Sequence, residues 1–314
     1  MCLFNLYSKE RQSFNSRKRG LSRMITNRST VGFIGTGVMG GSMAEHILNA
    51  GYPVHIFTRT KDKAMPLLNK GAEWQPSIKA LAKQADIIVT MVGYPADVEH
   101  VYFGEDGLLN HVQPGTYLID MTTSKPALAI RIYEEASKRD CYAIDAPVSG
   151  GDIGAQKGTL SIMAGGEPST FDAVLPLFKL MGTNIIHQGG PGAGQHTKLC
   201  NQITIASNMI GVCEAIVYAQ KAGLNPSRVL DSITTGAAGS WSLSNLAPRM
   251  IKGDFAPGFY VKHFIKDMTI AIESAQEMGL STPGLDLSLK LYKELADKGE
   301  ENSGTQALIK LFIR

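Results

Sequence analysis

The sequence predicts an α/β protein in two parts, a doubly wound sheet followed by an all-helical C-terminal domain. Three observations predict it. Short apolar runs alternate with helix-period stretches over the first half of the chain, the pattern of a parallel sheet covered by helices. After Gly194 the texture changes to long apolar helical segments. A length of 314 residues suffices for two domains.

The elements follow in order. "STVGFIG" is a strand running into glycine, and "GVMGGSMAEHILNAG" a helix ending at Gly51. "YPVHIF", a helix through "KAMPLLNKG", then "ADIIVTMV" and "GTYLIDM" continue the alternation. "CYAIDAPV" and "TLSIMAGG" are two further strands, a helix follows Pro168, and "TNIIHQ" is the last strand. Helices are then expected in "HTKLCNQITIASNMIGVCEAIVYAQKAG", "NPSRVLDSITTGA" and "HFIKDMTIAIESAQEMG". The division is a leader over residues 1–29, a sheet domain over 30–192 and a helical domain over 193–314.

The leader differs from the body. Up to Arg23 it holds six basic residues and one acid, which accounts for the slight positive charge of the whole chain. Its Arg- and Ser-rich composition fits a mitochondrial transit peptide, but Met24 stands just before the first strand, and a start there is the favoured reading. No nucleic-acid partner follows from this charge.

With 44% hydrophobic and 19% charged residues the body is an ordinary globular chain, and no apolar run is expected to span a membrane. The four cysteines lack C-x-x-C spacing, so a reducing, cytoplasmic setting is expected, or a mitochondrial one if the leader is a transit peptide. The scattered histidines predict no metal site.

Residues 35–40, "GTGVMG", match G-x-G-x-x-G between a strand and a helix. Gly35 allows the tight turn, Gly37 lets backbone approach a pyrophosphate, and Gly40 permits close helix packing. With Thr36, Val38 and Met39 they form the expected dinucleotide-binding loop of a Rossmann-type domain. At the end of the second strand Thr58 stands where an acid would bind the ribose 2′-hydroxyl, and Arg59 and Thr60 offer donors to a 2′-phosphate. NADP is the predicted cofactor, with NAD possible.

"GGPGAGQHTKLCNQ", residues 189–202, places Lys198, Asn201 and Gln202 at i, i+3 and i+4 on one helix face. Such a face is a functional wall or a solvated surface, and the residues alone allow both. "VSGG" sets Ser149 beside Gly150 and Gly151, an anion nest or a plain turn. Trp241 either closes a pocket or packs in the core.

With "GFIGTGVMG", "DAPVSGG", "GAGQHTKLCNQ" and "HFIKDMTIA" in this order, the chain resembles the β-hydroxyacid dehydrogenase family, relatives of 6-phosphogluconate dehydrogenase. The resemblance implies that Lys198 is the catalytic acid/base with Asn201 and Gln202 beside it; some relatives carry a second asparagine where Gln202 stands. It implies that Ser149, Gly150 and Gly151 hold a substrate carboxylate. It implies further that Lys266 reaches the cofactor and that Met91, Val92 and Thr123 line the nicotinamide side.

The chemistry suits these residue types. Hydride delivered to an aldehyde carbon leaves an alkoxide, and a lysine of lowered pKa can supply the proton. The expected reaction is hydride transfer between NADP(H) and a small carboxylated aldehyde or hydroxy acid. Imine reduction and a non-catalytic dinucleotide-binding scaffold are the alternatives, and an intact Lys198 speaks against both. The helix from about His196 to Ala222 is apolar nearly all round and predicts burial against the sheet domain or in a homodimer or homotetramer.

Overall fold

The computed structural model describes residues 25–313. The leader readings therefore fall outside the described residues except for its last five. Of these Ile25 packs against the core and Ser29 is buried.

Among the described residues nine strands form one sheet: β1 Val31–Ile34, β2 Val54–Phe57, β3 Glu73–Trp74, β4 Ile87–Thr90, β5 Tyr117–Asp120, β6 Tyr142–Asp145, β7 Val148–Ser149, β8 Leu160–Gly166 and β9 Gly182–Gly189. Their order is β3-β2-β1-β4-β5-β6-β8-β7, with β9 paired to β8. The first six are parallel, as the alternating pattern predicts. The direction then reverses, since β6 and β7 both pair antiparallel with β8. The predicted strand "CYAIDAPV" is thus two strands, divided at Ala146–Pro147, where proline lacks the N–H a continuing ladder needs.

Burial on both faces explains the unbroken apolar runs. Ile87 and Val89 enter the core cluster that holds Phe33, Met43 and Ile119, whereas Ile88 between them joins Ile34, Leu81, Tyr102 and Leu118. Helices α1 Val38–Asn49, α2 Pro95–Phe103, α3 Pro126–Ser137, α4 Gly151–Lys157 and α5 Pro168–Phe178 accompany the sheet. The helix expected through "KAMPLLNKG" is only a 3₁₀ turn, Lys61–Ala64, joined to one α-turn, Met65–Leu68.

The helical part is α6 Ala193–Lys221, α7 Pro226–Ile233, α8 Trp241–Asn245, α9 Ala247–Ile251, α10 Val261–Glu277 and α11 Pro283–Leu295, closed by a 3₁₀ segment, Thr305–Leu311. Its core gathers Leu199, Met209, Cys213 and Ile216 of α6 with Phe264, Met268 and Tyr292. Helix α6 bears on two expectations. At 29 residues it is long and apolar enough to cross a membrane, although its inner face packs as a core helix does. Nor is it buried all round: His196, Cys200, Thr204, Ser207, Gly211, Glu214 and Tyr218, three or four residues apart, form an exposed stripe.

Candidate active site

The glycine loop follows from backbone geometry. Gly35 has φ +94°, and a Cβ there would lie 2.2 Å from the Met91 carbonyl oxygen; at Gly40 it would lie 2.0 Å from that of Gly35. At Gly37 a Cβ would meet nothing within 4 Å. The loop is therefore closed where it packs and open at the mouth of α1, whose first turn has no side-chain cap. Thr36, 5% exposed, has a buried hydroxyl without a hydrogen-bond partner. An open N-terminus with unsatisfied donors suits a dinucleotide pyrophosphate, so the residues present fit the predicted cofactor.

Neighbouring strand ends complete this rim. Val92 N donates to the Thr122 hydroxyl at 3.0 Å and Met91 N to the Ile34 carbonyl at 2.9 Å, which ties the segment after β5 through Met91 and Val92 to the end of β1, while Gly35 N donates to the Phe57 carbonyl at 3.0 Å. Arg59 projects into solvent and pairs with Asp97 at 3.2 Å, and Thr60 precedes the 3₁₀ turn at Lys61.

On α6, Lys198 and Gln202 are buried and Asn201 is half-buried, so the triplet is not a solvated face. A continuous run of polar contacts crosses the molecule here. Ser149 Oγ lies 3.5 Å from Asn201 Oδ1, Asn201 Nδ2 donates to Gln202 Oε1 at 2.7 Å, and Gln202 Nε2 donates to Asp267 at 2.5 Å. Asp267 pairs with Lys266 at 2.9 Å, and Lys266 Nζ donates to the Thr123 carbonyl at 2.8 Å. Residues from β7, α6, α10 and the segment after β5 thus meet, and they include three of the four quoted motifs, the glycine loop lying outside this run. Burial pushes the Lys198 ammonium down to about 8, Asp267 partly opposing the shift and Lys266 adding to it.

Ser149 ends β7, and Gly150 and Gly151 follow with φ of +128° and +64°. That left-handed pair turns the chain into α4, a helix the sequence reading did not anticipate, so the expected nest would coincide with a helix start. Trp241 stands at the first position of α8 and is 59% exposed, which removes it from the core.

Three polar residues inside the quoted motifs escaped sequence reasoning: Asp145, Gln195 and Asp267. Asp145 ends β6 and accepts from the backbone of Gly192 and Gln195, each at 2.8 Å. It therefore serves as the N-terminal cap of α6, supplied from another element. Burial pushes its carboxyl up to about 6 and that of its ladder neighbour Asp120 up to about 7. A charged residue amid small residues, as in "IDAPV", was the available signal.

Fold and site together define an NAD(P)-dependent oxidoreductase: a Rossmann-type domain joined to a helical domain whose longest helix offers a buried lysine at the join. Comparison with known proteins sharpens this. Residues 30–190 match the family model of the NAD binding domain of 6-phosphogluconate dehydrogenase, and 192–312 that of the NAD-binding domain of NADP-dependent 3-hydroxyisobutyrate dehydrogenase. The chain is similar to the uncharacterized oxidoreductase YkwC of Bacillus subtilis, 63% identical across 91% of this chain and 100% of that one. It is 38% identical to 2-hydroxy-3-oxopropionate reductase of Escherichia coli across 89% and 95% of the two chains. A solved structure of Mycobacterium tuberculosis 3-hydroxyisobutyrate dehydrogenase with L-serine superposes with a TM-score of 0.84 at 29% identity, covering 91% of this chain and 100% of that one. The chain belongs to the β-hydroxyacid dehydrogenase family, and with it to the NAD(P)-dependent dehydrogenases and reductases of small hydroxy acids.

Proposed function

We propose that this protein reduces a small carboxylated aldehyde with NADPH, or runs the reverse oxidation, with Lys198 as the general acid/base. The observation that carries the reading is Lys198 itself: a buried lysine drawn down to about 8, beside the polar run from Ser149 to Thr123.

When bound, the nicotinamide supplies or takes up the hydride. The chain's own groups do the rest. Lys198 Nζ gives its proton to the carbonyl oxygen as that oxygen becomes an alkoxide, and in the reverse direction the neutral amine takes the hydroxyl proton. Asp267 stabilises the ammonium, and Asn201 and Gln202, held to one another and to Asp267, present amides to the substrate. Ser149 with the backbone of Gly150 and Gly151 holds the carboxylate. Remote binding at that nest aligns the carbonyl, so its contribution belongs to turnover as well as affinity. The Arg59 guanidinium, exposed and paired with Asp97, is available to a 2′-phosphate and favours NADP over NAD.

Loss of NADPH absorbance with methylmalonate, tartronate and succinic semialdehydes and glyoxylate, against propionaldehyde, tests the reading. At least one carboxylated aldehyde should exceed propionaldehyde in kcat/KM by about 10-fold or more, the scale of one hydrogen bond to a charged group. Equal rates would leave the nest a plain turn.

A further inference from the structure

One buried side chain of α6 has so far no part in the chemistry. Gln195 is 0% exposed and lies one turn before Lys198. Its amide uses both ends on a single stretch of backbone across the domain join: Nε2 donates to the Thr122 carbonyl at 2.7 Å, and Oε1 accepts from Ser124 N at 2.8 Å. The carbonyl between them, that of Thr123, is taken by Lys266 at 2.8 Å. Three consecutive residues after β5 are thus held from two helices of the helical domain.

The other end of Gln195 is fixed as well. Its backbone N–H donates to Asp145, as does that of Gly192, so the first turn of α6 is locked to the end of β6. The space for that carboxylate is shaped by glycines: a Cβ on Gly165 or Gly194 would come within 2.8 Å of a carboxylate oxygen. The segment so held is in turn bonded to the cofactor rim, through Val92 to the Thr122 hydroxyl and through Thr122 N to Asp120 at 3.0 Å.

A helix start needs an acceptor for its N–H groups, and Asp145 already provides one. It does not itself need a buried carboxamide, whose desolvation is costly unless every polar atom is matched; here both ends are matched, to the Thr122 carbonyl and the Ser124 N–H across the domain join. What the amide adds is orientation, because only one placement of the Thr122–Ser124 backbone satisfies both of its ends.

We propose that Gln195 is a positioning residue, which bolts the Thr122–Ser124 segment to the first turn of α6 and thereby fixes where Lys198 stands relative to the nicotinamide side of the site. The proposal rests on the NADPH-dependent reading of Lys198 given above.

The test uses Gln195→Met, which keeps volume and loses both hydrogen bonds, and Gln195→Glu, which still accepts from Ser124 but opposes the Thr122 carbonyl. In the cofactor-free protein, hydrogen exchange at the Ser124 amide should quicken by about tenfold in Gln195→Met, the scale of one lost hydrogen bond. In turnover, kcat should fall about 10- to 100-fold in both variants, because small misplacements of reacting groups are expensive. KM for the aldehyde and Kd for NADPH, read from its fluorescence, should stay within about threefold, since the proposed carboxylate nest and the glycine loop are untouched. The deuterium isotope effect with NADPH labelled at the transferred position should rise as hydride transfer comes to limit the rate. A kcat within twofold of the wild type would overturn the proposal. So would an NADPH Kd weakened in proportion to kcat, which would make Gln195 a binding group, or failure of both variants to fold, which would make it a structural one. A wild type inactive with every carboxylated aldehyde would defeat the functional reading alone, and the Ser124 exchange would still report the clamp.

Discussion

Lys198 concentrates the argument at the scale of single residues. A lysine at its ordinary pKa is a poor partner for an alkoxide near neutrality, whereas burial has brought this one to about 8. The sign of the pH dependence follows. Reduction needs the ammonium, so kcat for the aldehyde should be level below about pH 8 and fall above it. Oxidation of the hydroxy acid needs the free amine and should rise through the same pH. Opposite limbs in initial rates for the two directions would support the assignment, and profiles without an inflection near pH 8 would remove it. Lys198, Asn201 and Gln202 were legible because i, i+3 and i+4 spacing is a property of sequence. Asp145, Gln195 and Asp267 were not, because their partners lie 47 to 73 residues away, and helical spacing says nothing about which buried polar atoms meet across a fold.

At the scale of elements, β1, the glycine loop and α1 were read correctly because strand, tight turn and open helix mouth are all local requirements. The two-strand break at Pro147 and the seven-residue α4 were missed: Gly150 and Gly151 signal a turn, and only the antiparallel pairing with β8 shows what the turn leads into. On the proposed reading the same local logic would govern cofactor choice at the end of β2. Arg59 is 83% exposed and its pair with Asp97 contributes little to stability, so Arg59→Ala should leave the fold intact. It should lower kcat/KM with NADPH by about 10-fold while leaving NADH nearly unchanged, the scale of one hydrogen bond to a charged phosphate. A wild type that already prefers NADH would end that assignment.

For the whole molecule, the order of architectures, a sheet followed by helices, was legible from the change of texture after Gly194. The exposed face of α6 was not, because an apolar helix of this length reads alike whether core, interface or membrane span. Its stripe ends at Tyr218, 74% exposed, with Leu224 beyond it 53% exposed, and on the sequence expectation of a homo-oligomer this is the face we propose a second copy covers. Light scattering at micromolar concentration should therefore return a dimer or tetramer, and a monomer would contradict it.

All of these scales converge on the buried lysine at the join of the two domains. The most direct test is turnover of Lys198→Ala with the best carboxylated aldehyde, measured alongside NADPH binding by fluorescence. The account predicts NADPH affinity close to wild type and kcat lower by about 10²-fold or more, the usual scale for a lost general acid. A folded variant that binds NADPH and turns over at the wild-type rate would contradict it.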